Sequence, residues 1–195
     1  GAPARPAPLP ACGYPQQGRH IAVLDATGAI AASDQAGNLA VHRTDPGLFL
    51  HYWNAPEETA ARFQGDWFVT GDTVSMAADG AITYLGRDDD MLNAGGFRVS
   101  PLEIETAMAD CPDAGDLAAV EIRVKSDASV IALAYSGTAS AQSLRAHAET
   151  CLARYKQPRI FRQMDAIPRN ANGKLDRKTL RATWPEPLEK TDGTK

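Results

Sequence analysis

The chain has 195 residues, 44% hydrophobic and 23% charged, an ordinary composition for a globular protein of one large or two small domains. Its formal charge of −4 argues against a nucleic-acid-binding surface, and no apolar run approaches the roughly 20 residues that a membrane helix needs. The three cysteines and four histidines are scattered, which predicts neither a disulfide framework nor a metal site. With no signal-peptide pattern at its start, we expect a cytoplasmic protein.

Residues 1–86 predict a β-rich region that follows a head rich in proline and alanine. A short helix is predicted over residues 56–63, with Asn54 as its N-cap. These segments offer little hydrophobic core of their own. Short apolar runs between turn-forming residues indicate strands at residues 19–25, 38–43, 68–70, 74–77 and 82–85.

After Arg87 the pattern changes to alternating strands and helices, which predicts a domain boundary near residues 86–90. Ser100-Pro101-Leu102-Glu103 is a strong helix start, since serine caps well, proline suits the first position and glutamate the third. The predicted fold class is α+β: a β-rich part, then a small mixed α/β domain with a roughly three-stranded sheet and flanking helices. Its other predicted elements are strands at residues 120–125, 130–135 (the central one) and 159–164, and a helix over 141–154.

The segment from Ile167 to Lys178 puts Lys174 on a glycine-containing loop between a strand end and a short basic helix. Lysine is a compact charge on a long stem, so a loop can deliver it to the place where negative charge develops on a transferring phosphate. The same composition also describes an ordinary solvent-facing turn. Lys174 is therefore a catalytic candidate whose interpretation depends on the motifs upstream.

Two motifs upstream suit a nucleotide. Asp72 follows a strand in a Thr-Gly-Asp turn, where a carboxylate can accept hydrogen bonds from two ribose hydroxyls and Gly71 permits a close approach. The alternative is an aspartate that closes a turn through its own backbone. Arg87 follows Gly86, and its guanidinium can reach ribose oxygens or a phosphate. The three aspartates after it are, as a charge run, typical of a solvated loop.

In order and spacing, these motifs resemble the last third of the adenylate-forming enzymes, the superfamily of acyl-CoA synthetases, luciferases and peptide-synthetase adenylation domains. Such enzymes activate a carboxylate with ATP and pass the acyl group to a thiol. The resemblance covers roughly residues 13–181. It implies that residues 1–86 are the β-rich end of a large adenylation domain, residues 87–90 a hinge and residues 91–195 a small lid domain.

The resemblance also implies roles for single residues. Asp72 corresponds to the ribose-binding aspartate of the family, and Arg87 to the arginine beside it. Asp89 corresponds to the hinge residue, because the family pattern Gly-Arg-x-Asp-Asp has it two positions after the arginine. Lys174 corresponds to the catalytic lysine, whose ammonium bridges the attacking and leaving oxygens during adenylation. ATP and AMP are therefore expected ligands, with Mg²⁺ as the ATP counter-ion but without a ligand among these residues.

Gly95 and Gly96 stand in the segment Ala-Gly-Gly-Phe-Arg-Val. In acyl-CoA synthetases the similar loop lines the tunnel for the pantetheine arm of coenzyme A, and glycine supplies the missing side chains. Arg98 of the same segment is a candidate contact to a phosphate. A tight β-turn accounts for the two glycines equally well from the sequence alone.

By resemblance to aryl- and acyl-CoA ligases, the segment with Tyr155, Lys156 and Arg159 is expected near the nucleotide end of coenzyme A. The resemblance implies that Tyr155 stacks on adenine and that Lys156 or Arg159 contacts the phosphates. Without the resemblance, the same residues describe a helix end whose basic side chains complement the helix dipole.

The hinge region, with its Ser100-Pro101 step, resembles the acyl-CoA synthetase branch, and a peptide-synthetase adenylation domain is the alternative within the family. A non-catalytic interaction module is the alternative outside it. The family's phosphate loop and aromatic-Gly-x-Thr-Glu segment do not occur in this sequence. We therefore expect a C-terminal piece of a ligase, inactive alone, whose partners are the N-terminal part of the enzyme, coenzyme A and a carboxylic acid that the sequence does not identify. A natural stand-alone regulator is the other explanation.

Overall fold

The computed structural model describes residues 5–94, 96–125 and 128–185. The chain separates into a first unit, Gly1–Asp89, and a second unit, Asp90–Lys195. The regular structure of the first unit is mainly strands and the second unit mixes strands and helices, so the predicted α+β class is confirmed. No helix among these described residues is long and apolar enough to cross a membrane.

The first unit is built on a five-stranded antiparallel sheet. Its strands pair in the order β1-β2-β4, and both β3 and β5 pair with β4 along its other edge. One short helix, α1 (Pro56–Ala61), precedes β3. The strands are β1 (Ile21–Leu24), β2 (Ala36–His42), β3 (Phe63–Gln64), β4 (Trp67–Met76) and β5 (Ile82–Arg87).

The core of the first unit is two small clusters, one on each face of the sheet. One centres on Leu24 and Ala40, and the other on Val23 and Val74. Away from them, large apolar side chains lie in solvent, and Trp53 is 92% exposed. The expectation of a β-rich region with little core of its own matches this arrangement.

Three predicted details of the first unit are wrong. The helix predicted over residues 56–63 ends at Ala61, and Phe63 begins strand β3. The strands predicted at residues 68–70 and 74–77 are one strand, β4, because a bulge rather than a turn separates them. The N-cap of α1 is Ala55, not Asn54, whose φ of +52° already lies in the left-handed region. The side chain that ties this helix start is Thr59, which donates to the Ala55 carbonyl and accepts from the Tyr52 amide.

The second unit begins with the end of a short 3-10 helix, Asp88–Asp90, and a two-stranded hairpin. A three-stranded sheet follows in the order β10-β9-β8, with β8 antiparallel and β10 parallel to the central β9. The elements are β6 (Leu92–Ala94), β7 (Phe97–Val99), α2 (Pro101–Met108), β8 (Leu117–Lys125), β9 (Ala128–Tyr135), α3 (Ala141–Cys151), β10 (Ile160–Gln163) and α4 (Arg177–Ala182).

Both faces of the three-stranded sheet are covered, which explains why β9 is an almost continuous apolar run. Ile131 and Leu133 point to a cluster that includes α2 and α3, while the alternate residues of β9 point to a second cluster that includes Leu180 of α4. The predicted central strand and sheet size are confirmed. The Ser100 cap is confirmed as well, since its Oγ accepts from the Glu103 amide at 3.2 Å. Helix α3 ends three residues before the predicted position.

Candidate functional site

A bulge in β4 presents Asp72. Asn38 of β2 pairs with Thr73, and Ala40 pairs with Val69, so two steps along β2 match four along β4. The three residues between, 70–72, are left out of the ladder with β2, as in other bulges. The Thr70 hydroxyl donates to the Leu39 carbonyl at 3.1 Å and so replaces a ladder bond.

Asp72 and Arg87 face each other across β4 and β5. Arg87 Nη1 donates to Asp72 Oδ1 at 3.0 Å and to the Thr70 carbonyl at 3.2 Å. Burial lowers the pKa of Arg87, but the hydrogen bond to Asp72 and the charges of Asp72 and Asp89 outweigh it, so this pKa lies above its ordinary value. The guanidinium therefore stays charged and holds one oxygen of the Asp72 carboxylate.

Asp72 does not close its own turn. Among the described residues its side chain accepts a hydrogen bond only from Arg87, and the Asp72 amide donates to the Thr70 hydroxyl at 3.1 Å. The space over Gly71, expected to admit a nucleotide, is occupied by Arg87: a Cβ on Gly71 would lie 2.8 Å from Arg87 Nη2. The φ of +81° at Gly71 also favours glycine. What remains open to a ligand is the second carboxylate oxygen, Oδ2, of the half-buried Asp72.

The three consecutive aspartates have different surroundings. Asp89 is 81% exposed, and its Oδ1 lies 3.7 Å from Arg87 Nε. Asp90 is partly buried, with 24% of its side chain exposed, and pairs with two arginines of α4 in the second unit. The expectation of a uniformly solvated run therefore fails at Asp90. The exposed Asp89 is the last residue of the first unit, and its role as a hinge stays a prediction.

Lys174 ends a tight turn between Arg169 and Leu175, which form an isolated antiparallel bridge. The Asn170 amide donates to the Lys174 carbonyl at 2.7 Å, and the Asn170 side chain accepts from the amides of Asn172 and Lys174 at 3.0 Å. Gly173 has a φ of +74°, which this turn requires and glycine permits.

The turn that carries Lys174 is held from both sides. Arg169 Nη1 donates to the Gly173 carbonyl at 3.2 Å, and the Asp176 amide donates to the Pro168 carbonyl at 2.9 Å. Asp176 then caps α4, accepting from the Thr179 amide at 2.9 Å. The ammonium of Lys174 is exposed, and no carboxylate within the described ranges forms an ion pair with it. Its backbone is fixed while its charge is available to a ligand.

Residues expected to hold coenzyme A line one cavity of about 240 Å³ in the second unit. The rings of Phe97 and Tyr155 lie with their centroids 4.8 Å apart at this cavity. Arg159 lines it too, and its guanidinium is exposed. Gly96 has a φ of +87° and open space where a Cβ would lie. Gly95 lies outside the described residues.

The two cations of this region differ. Lys156 is turned to α2, where its Nζ forms an ion pair with Glu103, and it does not line the cavity. Burial lowers the pKa of Lys156, but the bond and charge of Glu103 outweigh it, so this pKa lies above its ordinary value. Arg98 is exposed on β7. Of the pair that was expected to meet phosphates, Arg159 is therefore the better placed.

An ionic cluster near α4 was not predicted. Arg177 donates to both oxygens of Glu105, at 2.6 and 2.7 Å, and it also contacts Asp90 at 3.4 Å. A signal for it exists in the sequence: Glu105 falls on the same helical stripe as the buried Pro101, Ile104 and Met108. A carboxylate within an apolar stripe needs a buried partner.

Across the described ranges, no group of three or more histidine, cysteine, aspartate or glutamate side chains is arranged to hold a metal ion. The described residues offer three features that could bind a ligand. Asp72 has a carboxylate oxygen without a partner among these residues, Lys174 has a long charged side chain on a fixed turn, and an aromatic cavity has the Arg159 guanidinium at its edge.

Comparison with known proteins identifies relatives of the chain. No family model matches it. It is 35% identical over 178 residues to a benzoate–CoA ligase of Thauera aromatica, covering 87% of this chain and 33% of that enzyme. It is 35% identical over 173 residues to a mitochondrial acyl-coenzyme A synthetase of Mus musculus, covering 83% of this chain and 30% of the relative.

The fold has solved counterparts as well. O-succinylbenzoate coenzyme A synthetase of Bacillus subtilis, solved with ATP and a magnesium ion, matches 89% of this chain with a TM-score of 0.80 and 26% identity. The match covers 36% of that structure. The chain therefore spans about a third of the length of the proteins that it matches.

Proposed function

We propose, since this chain belongs to the acyl- and aryl-CoA ligases of the adenylate-forming superfamily, that it is the C-terminal portion of an AMP-forming carboxylate–CoA ligase. The reaction of the whole enzyme joins ATP and a carboxylate to give an acyl-adenylate and pyrophosphate, and then transfers the acyl group to coenzyme A with release of AMP. The acid itself is left open, because the names of the relatives cover several acids.

In this proposal the first unit binds the ribose of ATP and AMP. Asp72 accepts a ribose hydroxyl on Oδ2, while Arg87 holds the other oxygen and so fixes the direction in which the carboxylate points. A charge-assisted acceptor of this kind is among the stronger hydrogen-bond groups in proteins. The Thr70 hydroxyl supports the site, because it completes the bulge that carries Asp72. Mg²⁺ accompanies ATP as its counter-ion.

Lys174 is the proposed catalytic residue of the adenylation step. The observation that carries the proposal is its exposed ammonium at the end of a turn whose backbone is fixed on both sides. In-line attack on the α-phosphate builds negative charge on the attacking and leaving oxygens, and a positioned cation stabilises that charge. An ammonium already neutralised by a nearby carboxylate would serve this purpose poorly.

The thioester step is assigned to other residues. The cavity lined by Phe97, Tyr155 and Arg159 is proposed to take the nucleotide end of coenzyme A, with the rings against adenine and the guanidinium near phosphate. Gly95 and Gly96 are proposed to border the pantetheine arm, and Arg98 is proposed to contact a phosphate. Asp89 is the proposed pivot between the 1–86 and 91–195 parts of the enzyme, since an exposed residue can change its torsions without disturbing a core.

A peptide-synthetase adenylation domain is the alternative within the superfamily. The Ser100 cap and the Pro101 helix start, which resemble the ligase branch, favour the ligase, and so do the names of the relatives. The aromatic cavity also favours it, because a carrier domain would not need a site for adenine. A purely structural interaction module would need neither this cavity nor an exposed ammonium at Lys174.

The test is Lys174→Ala in the full-length enzyme, with Lys178→Ala as the matched control on the same segment. Removing a group that acts on developing charge should lower the rate of acyl-adenylate formation by about 100- to 1,000-fold. Thioester formation from a supplied acyl-adenylate should stay within about twofold of the parent, and Lys178→Ala should leave both steps unchanged. Equal losses in both steps would make Lys174 structural and would reject the proposed role.

A further inference from the structure

Arg177 joins three separate segments of the second unit at one guanidinium. It is the first residue of α4, three positions after Lys174. Its Nη2 donates to both oxygens of Glu105 in α2, its Nε donates to the Ala119 carbonyl of β8 at 3.3 Å, and its Nη1 lies 3.4 Å from Asp90. Only 13% of the side chain is exposed. A planar guanidinium with five donors can satisfy three directions at once, which an ammonium cannot.

Glu105 depends on this arrangement. Its side chain is 14% exposed, and its Oε1 also accepts from the Ala119 amide at 2.8 Å. Burial raises the pKa of Glu105 above its ordinary value, although the charge of Arg177 opposes that shift. Burying an ion pair gains little stability over apolar side chains, because desolvation offsets the attraction. What such a pair does supply is a defined geometry among the elements that it connects.

Asp90 connects the same cluster to the boundary between the units. Arg177 Nη1 lies 3.4 Å from its Oδ2, and Arg181 Nη2 lies 3.7 Å from its Oδ1. The two arginines are four residues apart and so share one side of α4. Asp90 follows Asp89, the proposed pivot, directly. The first residue after the pivot is thus held by the helix that begins beside Lys174.

The turn of Lys174 is short and leads straight into the cluster. Leu175 packs with the cluster of buried side chains below β8, and Asp176 both bonds to Pro168 and caps α4. The only chain between Lys174 and Arg177 is therefore two residues that are themselves fixed. A displacement of the start of α4 against β8 would therefore reach the backbone of the turn through two residues.

We infer that Arg177 is a positioning residue for Lys174. Through Glu105 and Ala119 it fixes the start of α4 to α2 and β8, and through Asp90 it joins that assembly to the segment that follows the pivot. The lysine and the residues after the pivot then move as one body, so a rotation about Asp89 delivers the ammonium without loosening its turn. The catalytic readout of this inference rests on the proposed function, while its structural readout does not.

The first experiment needs no catalysis. In the 195-residue chain, Arg177→Lys keeps the positive charge but removes the planar guanidinium and its several donors. Arg145→Lys, on the exposed side of α3, is the control. Amide hydrogen exchange measured by NMR should speed up about tenfold at Lys174 and Asp176, whose amides are bonded within the turn, and less than twofold in β9. Uniform acceleration throughout the second unit, or none in the turn, would overturn the inference.

A second variant covers the case in which Arg177→Lys does not fold. Asp90→Asn leaves the pair of Glu105 and Arg177 intact and removes only the link to the boundary. It should accelerate exchange at residues 90–92 by about threefold and leave the turn of Lys174 unchanged. Acceleration at the turn but not at residues 90–92 would contradict the proposed link.

The catalytic experiment separates positioning from simple stability. In the full-length enzyme, Arg177→Lys should lower kcat for acyl-adenylate formation about tenfold, with KM for ATP and thioester formation from supplied acyl-adenylate each within about twofold. A fall in both half-reactions would mean that Arg177 is structural only. If the parent enzyme forms no acyl-adenylate, the proposed function fails, whereas the exchange result still decides whether Arg177 fixes the turn.

Discussion

The two units of the chain bury their side chains in different ways. In the second unit, helices cover one face of the three-stranded sheet and α4 with its neighbours covers the other, so β9 is buried on both sides. In the first unit, strand pairing joins two small apolar clusters, and Trp53 and Leu50 remain in solvent. Of the twelve largest fully buried side chains among the described residues, two, Leu24 and Val74, belong to the first unit, so the larger core lies in the second unit.

The buried carboxylates of the units repeat this contrast. In the first unit Asp45, with 1% of its side chain exposed, accepts from the amides of His20 and Gly47 and pairs with Arg19. In the second unit, Glu105 relies chiefly on the side chain of Arg177. A loop with few apolar contacts is thus organised by backbone amides around an anion, whereas a packed helix is organised by a buried ion pair.

The largest effect expected from this comparison concerns the two cores. Leu133→Ala in β9 should lower the free energy of unfolding of the second unit by about 3–4 kcal/mol, because the leucine is fully buried and its removal leaves a cavity. Leu24→Ala, the matched change in β1, should cost about 2–3 kcal/mol, because a thinner shell can collapse around it. Urea unfolding followed by peptide-level hydrogen exchange reports each unit separately. Equal losses of unfolding free energy for the two variants would show that the two cores do not differ in this way.

The next effect concerns the boundary. Proline fixes φ near −65° and removes a backbone donor, so Asp89→Pro in the full-length enzyme should confine the second unit to one orientation. We expect the adenylating orientation to survive, with acyl-adenylate accumulating and coenzyme A consumption falling about 100-fold, roughly 2.7 kcal/mol. Asp89→Ala, which removes the carboxylate without restricting the backbone, should keep most of the activity. Acyl-CoA formation by the proline variant at the parent rate would show that Asp89 is not the pivot.

A smaller effect is expected at the aromatic cavity. Stacking on a base contributes about 1–3 kcal/mol, so Tyr155→Ala should raise KM for coenzyme A about tenfold. Trp53→Ala is the control, an exposed aromatic residue of the first unit. Steady-state kinetics with varied coenzyme A measures the change, and pyrophosphate release in the adenylation step should be unaffected. An unchanged KM for coenzyme A would show that adenine does not bind in this cavity.

The smallest expected effect is a difference between the two units in how their stability depends on pH. The pKa of Asp45 lies below its ordinary value, mainly because of the hydrogen bond from the His20 amide. Burial opposes this shift, while the Gly47 amide and the Arg19 side chain lower the pKa further. Its stabilisation is therefore complete above about pH 3.9, the unfolded value, and is lost as the pH falls through the folded pKa. Burial gives Glu105 a raised pKa, so the folded second unit takes up its proton first and gains stability on mild acidification.

Exchange corrected for intrinsic rates should accordingly show residues 19–47 opening more readily as the pH falls below about 4, with residues 101–125 less affected. Asp45→Asn should weaken this dependence at residues 19–47, where the lowered pKa of Asp25 still contributes, and should leave the second unit as it was. If the second unit opened at a higher pH than the first, the prediction that the first unit is the more sensitive to acid would be wrong.

Much of the fold follows from local sequence pattern, and the exceptions have physical causes. The three-stranded sheet of the second unit and its helices were predictable, because Ser100 caps a helix and the run at 130–135 is buried on both sides. The hairpin of β6 and β7 was not predicted. The single strand β4 was predicted as two, because its bulge depends on the Thr70 hydroxyl meeting a carbonyl of β2, 31 residues away. Local pattern carries no information about such a contact.

The candidate site divides in the same way. Lys174 was predicted on a loop before a helix, and its turn depends mostly on bonds within a few residues. The commitment of Lys156 to Glu103, 53 residues away, and of Arg177 to Glu105, 72 residues away, required the tertiary fold. Their roles in a reaction remain predictions.

The position of Asp90 has a consequence for recombining such enzymes. Asp90, Glu105, Ala119 and Arg177 all lie on one side of the boundary between the units. A chimera joined between Asp89 and Asp90 inherits the cluster complete from one parent. A chimera joined between α2 and β8 takes Glu105 from one parent and Arg177 from the other, and any mismatch leaves a buried carboxylate without its cation. The natural crossover point for exchanging the lysine-bearing segment is therefore a single peptide bond.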